Sequence, residues 1–561
     1  MRLRSTVLAL FAAALLAPAA ATASPPVSSD NVQLLTRLPE AVSAISARFS
    51  ADGKVMYVST ATGLLTYDVT DPADPQRLGA LPLPHFENED VDVGDGVVVL
   101  TNDPSFTELG MIYVVDVKDP ASPTLRSSLT TYLPVGDSLG EAQTGNGHIL
   151  NCIQGCKYLW STGTDEGITV YDLRDLDNPA FLGKFEMPAV SRSEGAEATP
   201  GFTHDVFVDK QGIGWITGED GTFGYDTTGD PVHPKLVYRS DEGVKNTGGG
   251  LPQDDGEGPL DFLHHNSIRT DIQLAQEPLR PPTAAPAPAP AADEAIPASG
   301  QSPAKAPAPR RHAKIRYTKA EKRALRRCAK RKSRKARSKC RAAIRRKAQR
   351  RADRRAAAKV RMKPSTTPGG LGDVLAVTEE DYLKPGCKGQ GSLQTWQITG
   401  ERNSDGTVKL KMLDQWTTDL NELASSTGRS PATGNCSAHW FDEDKGLLAQ
   451  GWYDQGVRFM DISNPRDIKQ VGWFISAGTY WGAYFAPTDP TRQTVYALDT
   501  AGGIDVLHID RGAGPGATKA PILDRWLTQD SGFTVASERW GFACPLLSPG
   551  IVAKAREVAP S

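Results

Sequence analysis

Four of the nine histidines, His148, His204, His265 and His439, fall together with Asp90 at one position of a recurring sequence unit, the start of its first strand. Neutral imidazoles gathered near a carboxylate are competent ligands for Zn, Cu or Fe, and an open coordination position permits metal-assisted oxidation or hydrolysis. Asp205, Asn266 and His264 adjoin these positions, while Glu141, Glu194 and Glu197 precede them in the connecting segments. Ala47 and Gly482 occupy the position in the first and last units, so no full ring of ligands exists. The competing reading is that each histidine hydrogen-bonds backbone of the neighbouring unit, because repeats reproduce structural residues as readily as ligands. Other catalytic templates are absent: there is no Gly-x-Ser-x-Gly elbow, phosphate loop or His-Glu-x-x-His helix.

These positions are set by repeats. One segment reads LLTYDVTDPADPQRLG from Leu64, YVVDVKDPASPTL from Tyr113, TVYDLRDLDNPAFLG from Thr169, FGYDTTGDPVHPKLV from Phe223 and VRFMDISNPRDIKQVG from Val457. Its β-branched and aromatic run suits a half-buried strand, and the Asp-Pro or Asn-Pro step ends that strand and turns the chain into another. The Asp that recurs before the turn reads as a strand-end hydrogen-bonding group. Upstream of each copy lies a second pair of strands joined by an Asp/Gly turn, as in ARFSADGKVMYVST from Ala47 and HDVFVDKQGIGWITG from His204. Units at Ala47, Asp90, His148, His204, His265, His439 and Gly482 predict an all-β fold, a seven-bladed β-propeller of four-stranded antiparallel blades. In such a ring the first strand of each blade lines the axis, which would bring the histidines together. Either VQLLTRLP from Val32 or APILDRWLT from Ala520 is expected to supply the closing outer strand. Trp452, Tyr453, Tyr480, Trp481 and Trp540 read as inter-blade packing, with a carbohydrate-stacking face as the alternative.

The Asp-Pro segment resembles the repeat of the LVIVD family, secreted or surface propeller-like proteins whose strands read LVIVDVSDP. The resemblance spans most of residues 44–510 outside one interruption and is sharpest at Tyr113 to Pro123. It implies a propeller and assigns no single reaction. Propellers that hold metal through axial histidines, such as the selenium-binding, methanethiol-oxidising type, offer an architectural analogy without a matching motif.

The fifth blade is interrupted by residues 272–369, a Pro/Ala-rich spacer followed by a basic helical tract. Residues 304–363 hold 28 Lys+Arg against Glu321 and Asp353, a charge of +26 that leaves −29 for the rest of a chain whose net charge is −3. Such a tract attracts anionic cell-envelope polymers or lipid head groups through counterion release. The alternative is a solvated run that offsets the acidic blades. No groove-reading motif points to sequence-specific nucleic acid. Residues 1–23, with Arg2, Arg4, the apolar run Val7 to Leu16 and Ala21-Thr22-Ala23, read as a signal peptide, which implies a secreted or cell-envelope location. Export favours disulfides: Cys152 with Cys156 as a local bridge, and Cys387 with Cys436 as a candidate pair that spacing does not establish; Cys328 and Cys340 pair across a break in a helical hairpin or, as the alternative, stay unpaired in a disordered basic tract that bonds between molecules, Cys544 being left over. The domain reading is thus 24–271 for blades one to five, the insert 272–369, 370–527 for the remaining blades and 528–561 for a C-terminal extension. Two functions stand: a monomeric binding scaffold at the cell envelope, taking a protein or small molecule on the propeller face, and a metal-dependent oxidase or hydrolase centred on the histidines.

Overall fold

A computed structural model describes residues 25–83, 90–101, 112–129, 148–163, 167–189, 201–240, 263–274, 371–380, 387, 391–427, 436–512 and 519–522. The signal-peptide, basic-tract and C-terminal-extension readings, with Cys328, Cys340, Cys544, Trp540, Glu141, Glu194 and Glu197, lie outside these residues.

After two N-terminal strands, β1 (Val27–Ser28) and β2 (Val32–Leu38), the chain lays down antiparallel sheets in sequence order. They are β3–β6 (Ala44–Phe49, Val55–Thr60, Gly63–Asp68, Gln76–Pro82), β7–β10 (Val91–Gly94, Val97–Thr101, Ile112–Asp116, Thr124–Leu129) and β11–β14 (Leu150–Ile153, Tyr158–Ser161, Ile168–Asp172, Ala180–Phe185). Next come β15–β18 (Thr203–Val208, Ile213–Gly218, Gly221–Asp226, Lys235–Arg239) and β19–β22 (Leu263–Arg269, Val374–Glu380, Ser392–Arg402, Val408–Trp416), which join into one eight-stranded sheet through a short parallel contact, Tyr238 with Val408. A helix, α1 (Asp419–Thr427), precedes β23–β26 (Phe441–Asp444, Leu447–Gly451, Val457–Asp461, Lys469–Ile475) and β27–β29 (Tyr480–Phe485, Thr494–Asp499, Gly503–Ile509).

The opening strands contact one another in order, β3 with β7, then β11, β15, β19, β23 and β27, and β27 returns to β3. That closed circuit makes the sheets radial, as in a β-propeller. Hydrophobic clusters fill the gaps between successive sheets; one joins Val97, Val99 and Val114 to Leu150, Leu159 and Tyr171. The ring is closed by the N-terminus: β2 is the outer strand beside β29, from Val32 opposite Ile509 to Leu38 opposite Ile504. Arg37 clamps this seam, its Nε 2.5 Å from Asp505 Oδ1 and its Nη2 2.9 Å from Oδ2. Ala520 and Ile522 pack instead against Leu420, Trp473 and the Cys387–Cys436 pair.

The recurring strand-end aspartates each cap the turn that follows. Oδ1 of Asp68, Asp116, Asp172, Asp226 and Asp461 accepts the amide two residues on, at 2.8–3.0 Å. These local bonds need no tertiary partner, so they are visible in sequence. Cys152 and Cys156 form the expected local disulfide. The loop between them holds three successive left-handed residues, Gln154, Gly155 and Cys156, and a Cβ on Gly155 would stand 2.3 Å from the Asp95 carboxylate of the preceding sheet. Trp452, Tyr453, Tyr480 and Trp481 are all buried, so they present no exposed stacking face.

Candidate metal centre

Hydroxyls at the ends of the second strands hold the backbone of three axial histidines. Thr101 donates to the His148 carbonyl at 2.6 Å, Thr162 donates to that of His204 at 2.5 Å, and Thr217 donates to that of His265. In the next unit Gln450 reaches both the Thr378 hydroxyl and the His439 carbonyl. Along the first strands, Asp92, Asn151 and Asp442 accept the amides of Cys152, Val208 and Phe485 in the following unit. The histidine column is thus held in register by ties repeated from unit to unit.

With that register the four imidazoles stand in one row. Ring centroids are 4.4 Å apart from His148 to His204, 4.3 Å from His204 to His265 and 4.2 Å from His265 to His439. All four are buried. The Nε2 atoms of His148 and His204 are 2.9 Å apart. Glu380, at the end of β20, adds a carboxylate: its Oε2 lies 3.8 Å from His204 Nε2 and 3.6 Å from His265 Nε2. One ligand atom from each of His204, His265 and Glu380 falls within 4.8 Å of the others.

One outward nitrogen, that of His439, has the partner a ligand histidine needs. His439 Nδ1 is 2.6 Å from the Trp481 carbonyl, which places the proton on Nδ1 and the lone pair on Nε2. His265 Nδ1 faces Asp205 Oδ2 at 3.8 Å. On the carboxylate, Tyr453 donates its hydroxyl to Glu380 Oε1. Tyr453 holds a left-handed backbone, φ 33°, unusual for a bulky residue, with its ring 4.9 Å from that of His439.

Burial, with the neighbouring histidines adding to it, holds His204 and His265 well below the ordinary histidine pKa, so both are neutral at physiological pH. Among the described residues, His204 Nδ1 and both ring nitrogens of His265 are buried without a hydrogen bond. A buried polar atom left so is costly unless something completes it. The inward set of several imidazole nitrogens and one carboxylate suits Zn, Cu or Fe and is poor for Mg or Ca. The first two Nε2 atoms, 2.9 Å apart, are within hydrogen-bond distance of one another.

Of the residues marked in the sequence, His148, His204, His265 and His439 come together. Asp90 does not join them: it is committed to Arg48, 3.1 Å away, and to the Ser46 hydroxyl, 2.8 Å away. A buried aspartate beside a buried arginine answers that arginine's charge. His264 also points elsewhere, its Nδ1 2.7 Å from the Thr222 hydroxyl, and Asn266 donates to the Phe441 carbonyl. Sequence reading missed Glu380 and Tyr453. The signal for Glu380 was its place two residues after Thr378, where Glu219 follows Thr217 in the preceding unit.

No family model matches the chain, and no curated protein matches it. Among solved structures, the β-propeller domain of Cps50 (Swd1) from Myceliophteria thermophila is similar at 7% identity and a TM-score of 0.40, over 87% of this chain and all of that one. The WD40 repeats of RRP9 are similar at 8% identity and a TM-score of 0.42, over 88% of this chain and all of theirs.

Proposed function

We propose that the protein is a seven-bladed, metal-dependent propeller whose centre is held on the axis by His148, His204, His265 and His439, with Glu380 as the carboxylate donor. The observation that carries this reading is the convergence of His204, His265 and Glu380 in a site where ring nitrogens lack hydrogen bonds. A transition metal bound there would supply Lewis-acid or redox chemistry, so the reaction class is metal-assisted oxidation or hydrolysis. The chain's own part is to present neutral imidazoles at His204 and His265, to fix the His439 tautomer through the Trp481 carbonyl and to aim Glu380 through Tyr453. Elemental analysis of the purified protein tests it. One equivalent of Zn, Cu or Fe, lost in a folded His204→Ala/His439→Ala variant, is expected; metal-free wild type that takes up none of the three on dialysis would refute the reading.

The two disulfides support an oxidising compartment and hence secretion. The +26 charge of residues 304–363 supports a second role for the protein as a scaffold tethered to anionic envelope polymers or lipid head groups. Deleting that segment should abolish salt-sensitive retention on such polymers, and unchanged retention would exclude the tether. The repeat's likeness to the LVIVD family fits both roles.

A further inference from the structure

Blade six carries a second polar cluster, apart from the histidines. Arg458 lies opposite Gln450 on one neighbouring strand and opposite Trp473 on the other, so the three side chains form a row across β24, β25 and β26. All three are buried, at 2%, 0% and 6% exposure respectively. Each also keeps a polar atom without a hydrogen bond: Arg458 Nε, Trp473 Nε1 and Gln450 Oε1. The Gln450 amide cannot turn to relieve this, because its Nε2 is already given to the Thr378 hydroxyl and the His439 carbonyl. Among the described residues Arg458 itself donates only a long bond, 3.3 Å, to the neutral Gln470 amide.

A buried guanidinium is normally met by a carboxylate, as Arg48 is met by Asp90 on the axis. Arg458 has no such partner within ion-pair distance among the described residues. The acid whose field reaches it is Asp419, and Asp419 is itself paired with Lys519 at 2.9 Å. Burial pushes the Arg458 pKa down to about 9, which still leaves it charged at neutral pH. Water could satisfy the donors but not the charge.

We infer that this row is an oxyanion site. Arg458 Nε and Trp473 Nε1 donate to two oxygens of the anion, and Gln450 Oε1 accepts from a hydroxyl on it. Two donors, one of them cationic, beside one acceptor match a protonated phosphate group. Sulfate offers the same oxygens but no hydroxyl at neutral pH, and would leave Gln450 unsatisfied. The inference does not rest on the metal centre: none of these three side chains is among its ligands, although the Gln450 amide also holds the His439 carbonyl.

Inorganic phosphate is the probe. The full-length protein is titrated calorimetrically, and its thermal midpoint is followed against phosphate at constant ionic strength set with chloride. Saturable one-to-one binding and a rising midpoint are expected, with sulfate at least tenfold weaker. Arg458→Met should abolish binding, and Trp473→Phe should weaken it about tenfold. A midpoint that responds equally to phosphate and chloride overturns the site, as does an Arg458→Met protein that binds phosphate like wild type. Sulfate matching phosphate removes Gln450 from it. If Arg458→Met does not fold, Trp473→Phe decides: wild-type phosphate affinity in that variant refutes the inference.

Discussion

Tyr453 is the residue whose local and tertiary demands conflict most openly. A tyrosine at φ 33° costs on the order of 1–3 kcal/mol, and the conformation places its hydroxyl on Glu380 and its ring against His439. Tyr453→Phe keeps the ring and removes only the donor. Partners of this kind typically contribute 10- to 100-fold in metal affinity, so a Zn competition assay on this variant should show a loss within that range with little change in thermal midpoint; unchanged affinity would make the tyrosine a packing residue. Glu443 illustrates a different residue-scale effect. Burial, followed by the nearby acids Asp271, Asp442 and Asp444, raises its carboxyl to about 8, against one stabilising bond from the Gly446 amide. The folded protein therefore holds this proton more tightly than the unfolded chain. Its contribution is complete below about pH 4.3, the ordinary glutamate value, and is lost as pH rises towards 8. Urea titrations across that window should show wild-type stability declining with a steeper slope than Glu443→Gln, and parallel slopes would refute the assignment.

Among the elements, the second strands matter most to the site although they supply just one of its donors. Thr162 sits where it can hold the carbonyl of His204 in the next blade. Thr162→Val preserves shape and β-propensity but leaves that carbonyl and the Ile149 amide short of a partner. A loss of about 1–3 kcal/mol is expected from chemical denaturation, together with weaker metal retention because His204 is no longer held in register. A stable variant with full metal content would show that the strand ladder alone fixes the histidine. The donor itself, Glu380, shows why linear spacing misleads here. It belongs to β20, beyond the insert, yet β19 and β20 pair so that Leu263 faces Glu380. The insert separates them in sequence and the hairpin register brings them together.

For the whole molecule, stability rests on closing the circuit with a strand from the opposite end of the chain. Deleting residues 25–38 would remove β1 and β2, expose the edges of β29 and β26 and break the Arg37–Asp505 clamp. An unpaired edge of seven residues invites pairing with another chain. Size-exclusion chromatography should then show association and the thermal midpoint should fall; a monomer of unchanged midpoint would mean that the ring does not depend on this seam.

The sequence by itself determined what is local and repeated. Strand runs, Asp-capped turns, the Cys152–Cys156 loop and the histidine column follow from residue type and spacing, because their partners lie a few residues away or at the same place in the next unit. Tertiary structure decided what repeats do not encode: that Val32 closes the ring while Ala520 does not, that Asp90 answers Arg48, that His264 turns to Thr222, and that Glu380 and Tyr453 join the histidines. Each of these depends on which side chains share a buried volume after the sheets close. Buried charge and unsatisfied polar atoms, which carry the largest penalties, exist only once that volume has formed.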